Sequence, residues 1–216
     1  MIRFFDILFS SVSILVLSPF LIFIAALLKF TGEGEILYFQ KRVGKNNLPF
    51  NLIKFVTMKK NSPAIGTRSL TVKNDPRILP FGHFLRKTKI NELPQLLNIL
   101  TGEMSLIGPR PLTEEAFQRY PKDAQLKILH MKPGLSGLGS IYFRNEEELL
   151  DSSVNAIHYY VEVIAPAKAD LEVWFSQNNT VKNYFKLIIA TVIVILFPRV
   201  DILEFFFKNM PIIKLK

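Results

Sequence analysis

The main uncharged hydrophobic run of the chain lies near its start. No residue from Ile7 to Leu28 is charged. At about 1.5 Å per residue, a helix over this run would cross about 30 Å of hydrocarbon. Pro19 removes a backbone donor in the middle of the run. The pattern therefore predicts a helix–break–helix that re-enters one leaflet, with Ser18 bonding a freed carbonyl. A kinked spanning helix is the alternative, whereas a cleaved secretory signal is disfavoured because no small-x-small cleavage site follows the hydrophobic run before Lys29.

The next segments alternate between strand-like and helix-like patterns. Two β-prone runs within 36–58, separated by the turn residues GKNNLP, predict a β-hairpin. Pro94 is tolerated only in the first turn of a helix, so a helix is predicted to begin near Asn91 or Glu92. A further helix is predicted from Thr113 to Met131, with Thr113 as its N-cap.

The end of the chain combines apolar and basic residues. The uncharged run 187–197 is about half as long as a spanning helix, so it predicts either an interfacial amphipathic helix or a core helix. We divide the chain into a re-entrant membrane hairpin (1–30), a cytoplasmic catalytic domain (31–175) and a C-terminal interfacial segment (176–216). The predicted fold class is α+β, predominantly helical, monotopic and membrane-associated.

Composition supports a membrane partner. The chain has 216 residues, a formal net charge of +9, 49% hydrophobic residues and 19 phenylalanines. A basic and apolar chain favours an anionic lipid surface, and no nucleic-acid recognition motif is present, so a nucleic-acid partner is not expected. Because there is no cysteine, thiolate chemistry is excluded. A zinc site is disfavoured because the three histidines lack metal-ligand spacing.

The segment 86–111 carries the residue types needed to bind phosphate. Glu92 lies at a predicted helix start, where backbone N–H groups and the helix dipole favour an anion. Arg86 and Arg110 can each hold phosphate oxygens in a bidentate fork, and Arg110 lies in a rigid turn formed by 108–111. A glutamate beside a phosphate suggests a divalent cation between them.

The motifs of the chain, from about Phe4 to Tyr160, resemble those of the bacterial sugar transferases, the small monotopic phosphoglycosyl transferases. The matching segments are Ser18-Pro19, Gln40-Lys41-Arg42-Val43-Gly44, Lys54-Phe55 with Thr57-Met58, Asp75-Pro76-Arg77, Arg86-Lys87-Thr88, Glu92-Leu93-Pro94-Gln95-Leu96, the run from Gly102 to Pro111, and Lys132-Pro133-Gly134-Leu135-Ser136-Gly137. Val56, where the family usually has arginine, and the carboxyl-terminal region depart from the pattern.

The resemblance implies a Mg²⁺-dependent reaction at the cytoplasmic face of the bacterial inner membrane. A UDP-sugar gives its sugar phosphate to an aspartate and releases UMP, and undecaprenyl phosphate then takes up the sugar phosphate as a polyprenyl diphosphate-sugar. Downstream glycosyltransferases are further possible partners. By position, Glu92 is the second acid of an Asp–Glu pair and a magnesium ligand. The phosphate- and substrate-binding residues expected from the resemblance are Arg86, Arg110, Lys54, Asp75 and Arg77, although Asp75 is equally suited to forming a turn.

One departure concerns the chemistry directly, because Asn91 stands where the family has the nucleophilic aspartate. A carboxamide is a poor nucleophile and a weaker magnesium ligand than a carboxylate. Three interpretations are open: an engineered substitution that traps substrate, a natural loss of activity that leaves a nucleotide-sugar-binding or scaffolding protein, or attack by Glu92 or by lipid phosphate directly. Asn91 could in addition cap the following helix.

Overall fold

The computed structural model describes residues 1–62, 75–151, 155–198 and 200–213. Most of the loop 59–74, which the sequence suggests as a substrate-selecting segment, lies outside the described residues, as do the last three residues of the predicted tail segment. The described part is predominantly helical with two small sheets, which confirms the predicted α+β, mainly helical class, while monotopic membrane association stays a prediction.

The first element, α1, is one continuous helix from Ile2 to Thr31. The predicted interruption at Ser18–Pro19 is therefore wrong. The Ser18 hydroxyl donates to the carbonyl of Leu15 at 2.8 Å. That carbonyl is the one that Pro19 leaves without its helical donor. Since Ser18 replaces the missing donor, as the sequence predicted, the chain keeps its helical path through the proline.

Helix α1 contacts the rest of the protein along its whole length. Near its start, Arg3 donates to the carbonyl of Leu100 at 2.8 Å, and Asp6 is almost fully buried. Near its end, Ile24 and Leu28 pack in a cluster with Phe55 and Leu85. The other side of the helix exposes large apolar side chains: Phe4, Leu8, Val12, Leu15, Val16, Ile22, Phe23 and Phe30. By length and composition, α1 is the one helix of the described residues that could cross a membrane.

The predicted β-hairpin is confirmed. Strands β1 (Leu37–Val43) and β2 (Pro49–Phe55) pair antiparallel, with Leu37 opposite Phe55. A 3₁₀ turn over Lys45–Asn47 joins them, and its two asparagines have φ values of 56° and 62°. Asparagine tolerates this left-handed region better than most residues, which explains the turn.

A second, parallel sheet holds the proline-rich turn 108–111, which follows its first strand. Strands β3 (Ser105–Ile107) and β4 (Gly134–Ser136) pair parallel. A Cβ on Gly134 would lie 2.1 Å from the backbone nitrogen of Gly108, so only glycine permits this approach. The close contact holds the turn 108–111 against β4.

The helices surround these sheets. They are α2 (Pro80–Lys87), α3 (Gln95–Thr101), α4 (Glu114–Gln118), α5 (Lys122–Ile128), α6 (Leu138–Tyr142), α7 (Glu146–Asp151), α8 (Ala156–Tyr159), α9 (Ala165–Gln177), α10 (Val181–Leu196) and α11 (Leu203–Phe206), with a π-helical turn Tyr160–Ile164 before α9 and a 3₁₀ turn Ile90–Glu92 before α3.

One helix prediction needs adjustment. The helix predicted from Thr113 to Met131 is two helices, because Pro121 begins a new one as the N-cap of α5. The Thr113 cap itself is confirmed, since its hydroxyl accepts from the Ala116 N–H at 3.2 Å.

The run 187–197 is divided between core and surface. Leu187 and Ala190 of α10 are fully buried in the largest core cluster, whereas Ile189 and Val192 are half exposed. The core-helix interpretation therefore describes the buried side of α10, and the amphipathic interpretation describes its exposed side.

Candidate active site

Three charged side chains predicted from the sequence meet at one point. Lys54 projects from β2, Glu92 ends the 3₁₀ turn before α3, and Arg110 lies in the turn after β3. The Lys54 Nζ is 2.9 Å from Glu92 Oε1, and Arg110 Nη2 is 3.8 Å from the same oxygen. The Lys54 and Glu92 side chains are mostly buried, whereas Arg110 keeps 40% of its side chain exposed. The fold thus presents an accessible guanidinium beside a buried ion pair.

The electrostatics of this group depend on how burial competes with charge. Burial alone would raise the pKa of Glu92, but Lys54 and Arg110 outweigh it and hold the pKa well below its ordinary value. For Lys54 the balance is opposite: burial lowers its pKa to about 8, although Glu92 favours the charged form. Glu92 is therefore a carboxylate at neutral pH, whereas Lys54 loses its proton in mildly alkaline solution.

Arg42 is a further member of the group that sequence reasoning did not assign to the site. Its Nη1 donates to the carbonyl of Pro111 at 3.1 Å, and its other terminal nitrogen contacts the Gln40 side chain. Burial, and then the proximity of Arg110, lower the pKa of Arg42 to about 10. The position of Arg42 within the Gln40–Gly44 motif was the sequence feature that could have assigned it to the site.

Asn91 is buried next to Glu92 but does not cap a helix. It lies inside the 3₁₀ turn, no cap hydrogen bond is formed there, and the residue is 5% exposed. Its Oδ1 is buried and has no hydrogen-bond partner among the described residues. The capping interpretation is therefore wrong. An unpaired buried carbonyl oxygen is costly, so its retention suggests a role that the described residues do not fulfil.

The turn that carries Asn91 begins with an unusual backbone conformation. Lys89 has a φ of 59°, which is uncommon for a residue other than glycine. Lys89 also contributes to the lowered pKa of Glu92. Such strain persists where surrounding structure imposes it, and it often accompanies functional sites.

The predicted residues Asp75 and Arg77 form a separate ion pair. Arg77 donates from Nε to Asp75 Oδ1 at 2.9 Å and from Nη2 to Oδ2 at 2.6 Å, and both side chains are buried. Hydrogen bonding by Arg77 is the main cause of the lowered pKa of Asp75, and Arg86 at the end of α2 lowers it further. The structure thus brings Asp75, Arg77 and Arg86 near one another, and their predicted contact with substrate stays a prediction.

A buried acid supports the Arg110 turn from behind. The backbone N–H of Arg110 donates to Glu172 Oε1 at 3.3 Å. Burial is the main cause that raises the pKa of Glu172 to about 8, so the group is largely protonated at neutral pH. Glu172 of α9 therefore fixes the turn without adding a full negative charge next to Arg110.

Comparison with known proteins shows which family the chain resembles over most of its length. The family model described as bacterial sugar transferase matches residues 1–198. The exopolysaccharide production protein ExoY of Rhizobium meliloti is 39% identical over 160 residues, which cover 67% of this chain and 70% of the relative.

Two longer relatives have names that state a reaction. An undecaprenyl-phosphate galactose phosphotransferase of Salmonella typhimurium is 34% identical over 174 residues, covering 74% of this chain and 36% of the relative. A UDP-glucose:undecaprenyl-phosphate glucose-1-phosphate transferase of Escherichia coli is 32% identical over 186 residues, covering 84% of this chain and 39% of the relative. On the family match and these identities, the chain belongs to the bacterial sugar transferase family.

Proposed function

We propose that the chain is built to transfer a sugar 1-phosphate from a UDP-sugar to undecaprenyl phosphate, as an initiating step of bacterial surface-glycan assembly. The observation that carries the proposal is the convergence of Lys54 and Arg110 on Glu92, beside position 91. Two cations that meet beside an accessible guanidinium suit a diphosphate. The Salmonella and Escherichia coli relatives are both named for undecaprenyl phosphate, and the Escherichia coli relative is named for UDP-glucose as well.

The role proposed for each residue follows from the exposure of its side chain. Arg110 is accessible and its guanidinium can grip two phosphate oxygens. Lys54 is mostly buried and supplies a point charge that neutralises developing negative charge. Glu172 accepts a hydrogen bond from the Arg110 backbone N–H and so holds the turn in place. These groups orient the diphosphate and stabilise the charge that develops as its phosphoanhydride bond breaks.

The donor set fits Mg²⁺ when it is shared with substrate phosphate. Magnesium prefers oxygen ligands and commonly uses one or two protein groups plus phosphate oxygens and water. Asn91 Oδ1 is an unpaired oxygen in the right neighbourhood, and Glu92 is ionised. Among the described residues no group of three or more acidic or histidine side chains is placed to hold a metal. Asn91 and Glu92 would hold the ion together with the diphosphate, and the ion would neutralise phosphate charge.

Asn91 favours a second candidate function. Without a carboxylate at position 91, the covalent sugar-phosphate intermediate expected for the family has no evident nucleophile, because Glu92 is engaged by Lys54. The alternative is a protein that binds a nucleotide-sugar without transferring it, or that scaffolds partner glycosyltransferases. Robust transfer by the unmodified chain would exclude this alternative.

We place the protein at the cytoplasmic face of the inner membrane. The exposed apolar side of α1 and the exposed residues of α10 offer surface to lipid, while the net charge of +9 favours anionic headgroups. Because both ends of α1 contact the catalytic part of the chain, this helix runs along the domain instead of leaving it. Such a path supports attachment from one leaflet.

The test combines binding and turnover. The purified chain in detergent is titrated with UDP-glucose and UDP-galactose in the presence of Mg²⁺, and UMP release is then measured after adding undecaprenyl phosphate. We expect binding of at least one UDP-sugar. Absence of both binding and UMP release, in this chain and in the Asn91→Asp variant, would refute the proposed function.

The low pKa of Lys54 makes a prediction about pH. A bound diphosphate favours the protonated lysine, so affinity should be full below pH 8 and fall as pH rises through about 8, by at most about tenfold per pH unit for one proton. The measurement is the Kd for UDP-glucose between pH 6.5 and 9.5. Lys54→Arg should flatten this profile, because arginine stays charged.

Glu172 titrates in the same range and needs its own control. Its pKa is also raised to about 8, and it contacts the Arg110 backbone. If Glu172→Gln flattens the pH profile and Lys54→Arg leaves it unchanged, Glu172 is the titrating group and the prediction for Lys54 is wrong.

A further inference from the structure

We propose that Arg42 is a third phosphate-binding cation, which forms with Lys54 and Arg110 a cradle for a diphosphate, and that the Glu92 carboxylate competes with the diphosphate for this cradle. The inference rests on the proposed function and goes further, because it adds a residue to the site and assigns Glu92 an opposing effect on anion binding. We call Arg42, Lys54 and Arg110 the cation cradle.

The position of Arg42 is set by the hairpin and by the proline-rich turn. Successive residues of β1 point to opposite faces, so Arg42 shares a face with Gln40, while Lys41 points away and is exposed. The hydrogen bond from Arg42 to the Pro111 carbonyl, at 3.1 Å, ties its guanidinium to the residue next to Arg110. Two arginines from different elements are thereby held close together.

This arrangement leaves a partly buried guanidinium without an ion-pair partner among the described residues. Among the described residues, the ion pairs at this site join Lys54 and Arg110 to Glu92, and none includes Arg42. The Nε of Arg42 is buried and forms no hydrogen bond within the described part of the chain. Buried charges are ordinarily paired, so an unpaired arginine at a nucleotide-binding site points to an anionic ligand.

The surrounding charges reinforce the same conclusion. The Glu92 carboxylate interacts electrostatically with all three cations of the cradle, and Lys89 adds further positive potential. Glu146 also acts on Arg110, but it is already paired with Lys168 of α9. Because Asn91 contributes no charge, the cradle carries an excess of positive charge that a diphosphate would neutralise.

Glu92 then acts as an internal competitor. Its Oε1 accepts from Lys54 Nζ at 2.9 Å and lies 3.8 Å from Arg110, so it occupies two of the three cations. An arriving phosphate must share or displace these contacts. Replacing Glu92 by glutamine removes the competing charge and keeps a similar shape, which should tighten binding of an anion when no Mg²⁺ is present.

The experiment uses inorganic pyrophosphate and UDP as probes, titrated by calorimetry into the full chain in detergent with EDTA. We expect Arg42→Gln to weaken pyrophosphate binding about 10- to 100-fold, which is the range for losing a charge-assisted hydrogen-bond partner. Lys41→Gln, on the exposed face of the same strand, is the matched control and should change the Kd less than about twofold. Glu92→Gln should tighten binding by roughly tenfold, since it removes a competing charge.

The outcomes separate the cradle from the proposed function. Equal pyrophosphate affinity of a folded Arg42→Gln protein and the unmodified chain would overturn the cradle, as would weaker binding by Glu92→Gln or no pyrophosphate binding at all. Thermal unfolding establishes folding, and Arg42→Lys, which keeps the charge, should recover part of the affinity if Arg42→Gln is unstable. Arg42-dependent pyrophosphate binding without UDP-sugar binding or UMP release, in this chain and in the Asn91→Asp variant, would support the cradle and contradict the proposed function.

Discussion

Asn91→Asp is expected to raise UMP release from a UDP-sugar and undecaprenyl phosphate by on the order of 10³-fold or more. The substitution supplies a carboxylate oxygen at the position where the family has its nucleophile. In other enzymes, removal of the nucleophile lowers kcat by up to about 10⁶-fold. The change is nearly isosteric, so the buried 3₁₀ turn Ile90–Glu92 should accommodate it. The measurement is UMP release by both proteins under identical Mg²⁺ and lipid concentrations.

The same substitution should make nucleotide binding more dependent on magnesium. A second carboxylate beside Glu92 reduces the positive excess of the cation cradle and adds a stronger metal ligand. Affinity for UDP in EDTA should therefore fall, while affinity in Mg²⁺ should be retained or increase. Asn91→Ser, which supplies neither a carboxylate nor an amide, is the control. If Asn91→Asp and the unmodified chain turn over equally fast, position 91 is not the nucleophile position in this protein.

Asp6→Ala is expected to lower the free energy of unfolding by about 3–5 kcal/mol. Asp6 Oδ1 accepts three hydrogen bonds, each of 2.9 Å, from the Ser105 hydroxyl, the Leu106 N–H and the Tyr184 hydroxyl. Asp6 and Tyr184 are buried, so removal of the carboxylate leaves several donors without partners. The melting temperature, followed by circular dichroism in detergent, should fall by roughly 10 °C for a chain of this size.

Two variants test whether the Asp6 effect is specific. Asp6→Asn keeps an acceptor oxygen and should lose less than half as much stability. Asp170→Ala removes an exposed carboxylate from α9 and should change stability by less than about 0.5 kcal/mol. A loss for Asp6→Ala no larger than that for Asp170→Ala would show that the three hydrogen bonds do not hold α1 against β3 and α10.

Local sequence signals predicted the structure correctly wherever neighbouring residues alone determine the backbone conformation. The hairpin followed from two β-prone runs around GKNNLP, and the Thr113 cap followed from one hydroxyl before two glutamates. At Pro19, sequence reasoning identified the correct chemical event but the wrong consequence. Ser18 does bond a carbonyl of the preceding turn, and because it replaces the missing donor the helix does not break.

The chain by itself determined the residue types of the site and their order. Glu92 and Arg110 were predicted because phosphate and metal chemistry needs carboxylate and guanidinium groups and because proline and glycine mark the turn that presents Arg110, whereas Lys54 was predicted from the resemblance to the family. Only the tertiary structure decided which charges meet. It placed Arg42 beside the Pro111 carbonyl, paired Asp75 with Arg77, and buried Asp6 against Tyr184. These contacts join residues whose separation along the chain or orientation carries no local signal, and packing of the helices and sheets fixes them.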